Sequence, residues 1–189
     1  MKIYMKTKQS PVLGPYNRYI LWVQGCNRHC EGCIAKDSWD MSGGMEIAAS
    51  ELENEILSTE NIEGITISGG EPFLQAEELC TLLKGVKTKR DLGVIVYTGY
   101  KFAEIKDSPL TALCDLVIDG EYIDGLNDNL SLRGSSNQNV IEITDRYSNV
   151  VGKYYGRQGR KTEILFDKDG VRLVGIPRKE ELNLYKGVK

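Results

Sequence analysis

No apolar run in this chain is long enough to cross a bilayer, so no transmembrane helix is expected. The N-terminal stretch MKIYMKTKQSPVLG carries lysines but no apolar segment behind them, which excludes a signal peptide as its reading. An excess of charge is missing too. The formal net charge is -3, which gives no electrostatic reason to expect a nucleic-acid or membrane partner. Internal repeats and low-complexity segments are absent. Cysteine is present in an odd number, five, and its spacing is uneven, which argues against a disulfide framework. Three of the five crowd between positions 26 and 33, while Cys80 and Cys114 stand alone. That clustering indicates a ligand site in a reducing compartment, and the chain is expected in the cytoplasm.

What remains is ordinary globular composition: 41% hydrophobic and 27% charged residues over 189 positions, enough for one domain with a real core. Residues 18–24 (RYILWVQ) form an aromatic and β-branched run that ends at Gly25 and predicts a buried strand. Residues 45–57 predict a helix, with Ala48, Leu52 and Ile56 four apart. Residues 62–68 predict a strand stopped by Gly69-Gly70, and 75–87 a helix with Leu79, Leu82, Leu83 and Val86 on one face. Strands follow at 92–98 and 115–118, with short helices or turns near 102–106 and 110–113. Alternating strand and helix implies a mainly parallel sheet with crossover helices. Such sheets place ligands where strands run into loops. The cysteine loop, Gly69-Gly70-Glu71-Pro72, Tyr97-Thr98-Gly99 and Asp119-Gly120 all follow strands and should share one rim. The tail reads differently. Residues 163–166 and 171–174 flank Asp167-Lys168-Asp169-Gly170 and predict a β-hairpin. The basic stretch 153–161 reads as a solvated linker, and 178–189 as a polar end.

Cys26, Cys30 and Cys33 make a C-x3-C-x2-C motif. Three thiolates on a short loop can hold three irons of a [4Fe-4S] cubane and leave the fourth open. Clusters that only carry electrons usually take four cysteines. Two plainer readings stand beside this one. Structural zinc would need His29, the only histidine, as fourth ligand, although it adjoins Cys30. An electron carrier would need Cys80 or Cys114 to complete the cluster, although Cys80 lies on a helix beside the core stripe.

The cysteine motif after one strand and Ile67-Ser68-Gly69-Gly70-Glu71-Pro72 after the next resemble the radical S-adenosylmethionine superfamily. Within it, the chain resembles the activating enzymes of anaerobic (class III) ribonucleotide reductases. The closer likeness rests on Asp37-Ser38-Trp39-Asp40 behind the third cysteine, on 94–99 ending in Tyr-Thr-Gly, and on Val117-Ile118-Asp119-Gly120. Arg133-Gly134-Ser135-Ser136-Asn137-Gln138 carries it furthest. It spans residues 14–142. Ile34 departs from the aromatic residue usual after the third cysteine, and the tail extends beyond the usual end.

The resemblance implies a partial (β/α) barrel over residues 1–150, with 151–189 as an extension bearing the hairpin. It implies one [4Fe-4S] cluster on Cys26, Cys30 and Cys33, with S-adenosylmethionine on the open iron. Gly69, Gly70 and Glu71 would receive the methionine amino group. Thr98 and Gly99 would contact the cofactor; Asp119, Arg133, Ser135 and Asn137 are further candidates, with Arg133 suited to the methionine carboxylate. Trp39 either packs under the cysteine loop or shields it. The implied activity is cleavage of S-adenosylmethionine to a 5'-deoxyadenosyl radical that takes hydrogen from a glycine of a glycyl radical enzyme, with a reductant such as flavodoxin. Two other functions compete: a radical enzyme acting on a peptide, RNA or small molecule, and an Fe-S electron carrier with no enzymatic role. The tail hairpin, with Ile164, Phe166, Val171, Leu173 and Val174, is expected to cover an edge of the core sheet.

Overall fold

The computed structural model describes residues 1–155, 159–167, 170–178 and 180–181. Its architecture is mixed α/β. A seven-stranded sheet is built from β1 (Lys2–Ser10), β2 (Arg18–Val23), β3 (Met45–Glu46), β4 (Gly64–Gly69), β5 (Gly93–Tyr97), β6 (Leu116–Asp119) and β7 (Asn139–Glu142), in the order β3-β1-β2-β4-β5-β6-β7. The four central strands β2, β4, β5 and β6 are parallel. β1 and β7 flank them antiparallel. A separate two-stranded hairpin, β8 (Thr162–Asp167) with β9 (Gly170–Gly175), follows.

Strand alternation divides the sheet into two faces. Tyr19, Leu21 and Val23 of β2 point with Ile65, Ile67, Val94, Val96 and Val117 toward α1 (Ala49–Ser58) and α2 (Ala76–Lys87), which contribute Leu52, Ile56, Leu79, Leu82, Leu83 and Val86. These side chains form the main core. On the opposite face Ile20 and Trp22 meet Leu13 and Val174, and Ile95, Leu116 and Ile118 meet Tyr147. The short helix α3 (Phe102–Ile105) follows β5, and Tyr147 directly precedes α4 (Ser148–Tyr155).

The predicted strands and the α2 helix occur where the pattern placed them. The first helix begins at Ala49 instead of 45, because Met45 pairs with Ile3 and Ala48 is extended. β1, β7 and α4 were not foreseen. β1 is largely polar, and β7 is a four-residue strand with no fully buried side chain.

The hairpin is present but does not cover a sheet edge, which corrects that expectation. Val174 (1% exposed) inserts against Leu13, Ile20 and Trp22 on a face of the sheet, with Leu165 beside it. Cross-strand register puts Leu173 opposite Ile164 and Val171 opposite Phe166 on the other side of the ribbon, where Ile164 and Phe166 are exposed. The apolar set therefore splits between two faces instead of packing as one. Residues 168–169 of its turn, 156–158 of the basic stretch, and 179 and 182–189 of the polar end lie outside the described residues.

Opposite the loop-bearing rim, Arg18 closes the sheet. Its side chain has no exposure, yet its guanidinium is fully engaged. It donates to Thr66 Oγ1 (2.7 Å), Glu63 Oε2 (2.8 Å), Tyr147 OH (2.7 Å) and the carbonyls of Pro15, Ile65 and Gly93. Removing one partner of a buried pair strands the others without water. Arg18→Ala should therefore lower the unfolding free energy by about 3–5 kcal/mol, read from chemical denaturation. A loss below about 1 kcal/mol would show that water replaces the guanidinium there.

Candidate iron-sulfur site

The C-terminal ends of the four parallel strands deliver the site. After β2 the chain turns at Gly25 into the cysteine loop. That loop is closed by backbone bonds from Gly25 N to Ser38 O (2.7 Å) and from Cys26 N to Trp39 O (3.1 Å). Within it, Cys33 N bonds Cys30 O (3.1 Å) and the Arg28 amide donates to Cys26 Sγ (3.4 Å). Gln75 pins the loop's root through Nε2, which donates to the carbonyls of Gln24 and Lys2 (both 2.9 Å).

The end of β4 passes directly beneath. Gly70 N donates to Val23 O and Glu71 N to Gly25 O, each at 2.8 Å. A Cβ on Gly70 would lie 2.1 Å from Gly25 O, and Gly69 sits at φ +98°. Only glycine fits both positions. Glu71, 1% exposed, turns its carboxylate inward to tie strand ends together. Oε1 accepts from Phe73 N (3.0 Å) and Thr98 Oγ1 (2.8 Å), and Oε2 accepts from Gly99 N (2.8 Å). Burial raises its pKa, against the pull of these donors and of nearby Arg28.

One cavity of about 170 Å³ lies over these ends. Cys26, Cys30 and Cys33 border it together with Gly69, Gly70, Glu71, Thr98 and Gly99, so the structure brings these predicted residues to one place. Burial also raises the Cys30 and Cys33 thiols; at Cys33 the Ala35 backbone and the Trp39 side chain act in the opposite direction by hydrogen bonding. Cluster assembly must displace such protons, so rising pH favours it. Trp39 both borders the cavity and packs at a tilt against His29, with ring centroids 4.9 Å apart and 45° between the planes.

Asp119, Arg133, Ser135 and Asn137 are not on the cavity wall. Asp119 accepts from Phe102 N (2.6 Å) and from Asn139 N and Nδ2 (3.2 and 2.8 Å), fixing β6 to β7. Arg133 forks onto Asp128 (Nε 3.1 Å, Nη2 2.5 Å). Ser135 Oγ accepts from Ile123 N, and Asn137 Nδ2 donates to Glu121 O. From this segment Gly134 and Gln138 reach the cavity instead. Gln138 Oε1 accepts from Gly134 N (2.7 Å), and its Nε2 donates to Gly120 O (2.7 Å).

Sequence reasoning missed Arg28, Tyr122 and the end of the hairpin, Gly175 to Pro177, as cavity residues. Arg28 pairs with Glu121 at 2.7 Å and lies 5.1 Å from the Tyr100 ring centroid. Its place between two cysteines was the available signal. For the hairpin end there was none, since its approach depends on Val174 docking.

The donor set fits a cluster. Three thiols border one cavity with a glycine floor, and Cys80 and Cys114 are buried in the helix-side core. Among the described residues, no three His, Cys, Asp or Glu side chains converge as ligands of one ion. Thiolates serving separate irons of a cubane need no such convergence.

Comparison with known proteins defines the class first: residues 12–141 match the 4Fe-4S single cluster domain, and the chain belongs to that family. Its relatives are more particular. The anaerobic ribonucleoside-triphosphate reductase-activating protein of Enterobacteria phage T4 is 34% identical over 139 residues, covering 71% of this chain and 89% of the relative. Its namesake from Escherichia coli (strain K12) is 33% identical over 144 residues, covering 70% and 92%. The pyruvate formate-lyase-activating enzyme of Clostridium pasteurianum is 34% identical over 99 residues, covering 50% and 42%.

A neutral amide at position 71 must turn an NH2 group toward one of the three donors. Glu71→Gln should therefore lower stability by about 1–3 kcal/mol while iron content stays at the wild-type level. Unchanged stability in denaturant would show that the carboxylate does not tie the strand ends.

Proposed function

We propose that this chain is a radical S-adenosylmethionine enzyme that activates a glycyl radical enzyme, the anaerobic ribonucleoside-triphosphate reductase. The observation that carries the reading is the meeting of a three-cysteine loop and a Gly-Gly-Glu strand end on one cavity. The names of the relatives point to the same class of partner.

Cys26, Cys30 and Cys33 hold the [4Fe-4S] cluster in this reading. Gly69 and Gly70 let backbone approach the methionine end of the cofactor, as the absence of side chains there permits. Glu71 acts largely through the loops it holds, because its oxygens already accept from Phe73, Thr98 and Gly99. Thr98 and Gly99 border the cofactor from the third parallel strand. Asp119, Arg133, Ser135 and Asn137 shape the loop that presents Gly134 and Gln138. When bound, cluster and S-adenosylmethionine supply one-electron sulfonium cleavage and a radical able to take hydrogen from glycine. The protein binds, orients and excludes water: Trp39 and Trp22 border the cavity as apolar wall. Flavodoxin is the proposed reductant.

The parallel run β2-β4-β5-β6, with the crossover helices α1 and α2 together on one face, supports a partial (β/α) barrel as the fold class. Residues 1–150 form its core domain and 151–189 the extension, with α4 running across the join. Among the described residues no helix is long and apolar enough to cross a membrane. Cytoplasmic location is part of the proposal.

Anaerobic reconstitution should load about four irons per chain, the content of one cubane. Cys26→Ala, Cys30→Ala or Cys33→Ala should abolish loading, whereas Cys80→Ala and Cys114→Ala should retain it. Reduced protein should release methionine and 5'-deoxyadenosine, and should raise a glycyl radical signal in anaerobic ribonucleotide reductase by electron paramagnetic resonance. Cofactor cleavage without that signal would remove the partner assignment; iron loss in Cys80→Ala would remove the open-iron site.

A further inference from the structure

Arg160 is the unusual residue of the extension. It is 5% exposed, and its described hydrogen-bond partners are all backbone carbonyls. Nε donates to Leu130 O (3.0 Å), Nη1 to Pro177 O (3.2 Å), and Nη2 to Arg133 O (2.8 Å) and Gly134 O (2.6 Å). Its own amide donates to Asn129 O (3.3 Å), and Gly159 forms an antiparallel bridge with Leu130. The extension thus grips residues 129–134 by backbone and side chain together.

That segment needs holding. Asn129 and Leu132 sit in the left-handed region, at φ +56° and +69°. Asparagine tolerates this; a leucine does so at an energetic cost, and such backbone persists only where its surroundings over-determine it. The same segment presents Gly134 to the cavity, and Gly134 N holds Gln138, the next cavity residue. A guanidinium fork reaching several carbonyls at once is the one side chain able to fix this shape; a lysine is a point donor.

We propose that Arg160 is a positioning residue for the cofactor site. It locks the strained 129–134 segment so that Gly134 and Gln138 complete the cavity wall, and the site binds S-adenosylmethionine tightly only while the extension is docked. Arg160 lies outside the residues 12–141 that match the family, so the brace comes from beyond the matched segment. The inference rests on the cofactor reading above.

The test compares wild type, Arg160→Met and Arg160→Lys as full-length, anaerobically reconstituted protein. Iron content, thermal stability, amide hydrogen exchange and equilibrium binding of S-adenosylmethionine are measured. Arg160→Met should keep iron, lose exchange protection across residues 129–138, and bind the cofactor at least about fivefold more weakly, the usual range of site-to-site coupling. Arg160→Lys should fall between, and it alone decides should the Met variant fail to fold. Wild-type affinity in a variant whose 129–138 segment has lost protection would overturn the proposal, as would unchanged protection in both variants. A wild-type chain that binds no S-adenosylmethionine would sink the cofactor reading instead, with exchange still showing whether Arg160 holds the loop.

Discussion

The site depends on one close approach: the Gly70 backbone lies against the Gly25 carbonyl, with no room for a side chain between them. Two strand ends meet there, one leading into the cysteine loop and the other into Glu71. The Glu71 amide bonds the same carbonyl, so loop and strand end are joined by main chain alone. Main-chain contacts fix position more tightly than flexible side chains do, because they cost no rotamer freedom. The three cysteines inherit that placement. The buried carboxylate of Glu71 then carries it on to the third strand through Thr98 and Gly99.

The two ends of the sheet divide the work. At one end buried Arg18 is satisfied from every side and binds β2, β4 and β5 to the segment before α4. At the other end thiols, strand-end backbone and an apolar wall face a cavity. A rigid floor beneath a set of loops is the arrangement that lets irregular segments hold defined positions. Among the buried ionic groups, Arg18, Glu71 and Arg160 each tie several segments of this frame together. Each is paid for by hydrogen bonds that desolvated groups require.

The extension changes the meaning of the loop it touches. The Arg-Gly-Ser-Ser-Asn-Gln segment looked like a row of ligand-binding side chains. In the fold, Arg133, Ser135 and Asn137 spend their hydrogen bonds on neighbouring residues, and the cavity meets Gly134 and Gln138. A polar motif can therefore act by making a loop shape. The hairpin end enters the same wall through Gly175, Ile176 and Pro177.

The sequence by itself determined the parallel core and the chemistry. The runs forming β2, β4, β5 and β6 are short, rich in β-branched residues and largely buried, and α2 repeats its leucines at helical spacing, so local pattern and tertiary burial agree. The meeting of Cys26, Cys30 and Cys33 on one cavity was legible because spacing on a short loop is itself local. β1, β7 and α4 were not, since their polar or short sequences become ordered only through neighbours. The tertiary structure alone decided which face the hairpin covers, that Asp119 bridges strands, and that Arg160 reaches back to residues 130–134. Those facts join positions far apart along the chain, and no periodicity records a contact whose two halves lie on different elements.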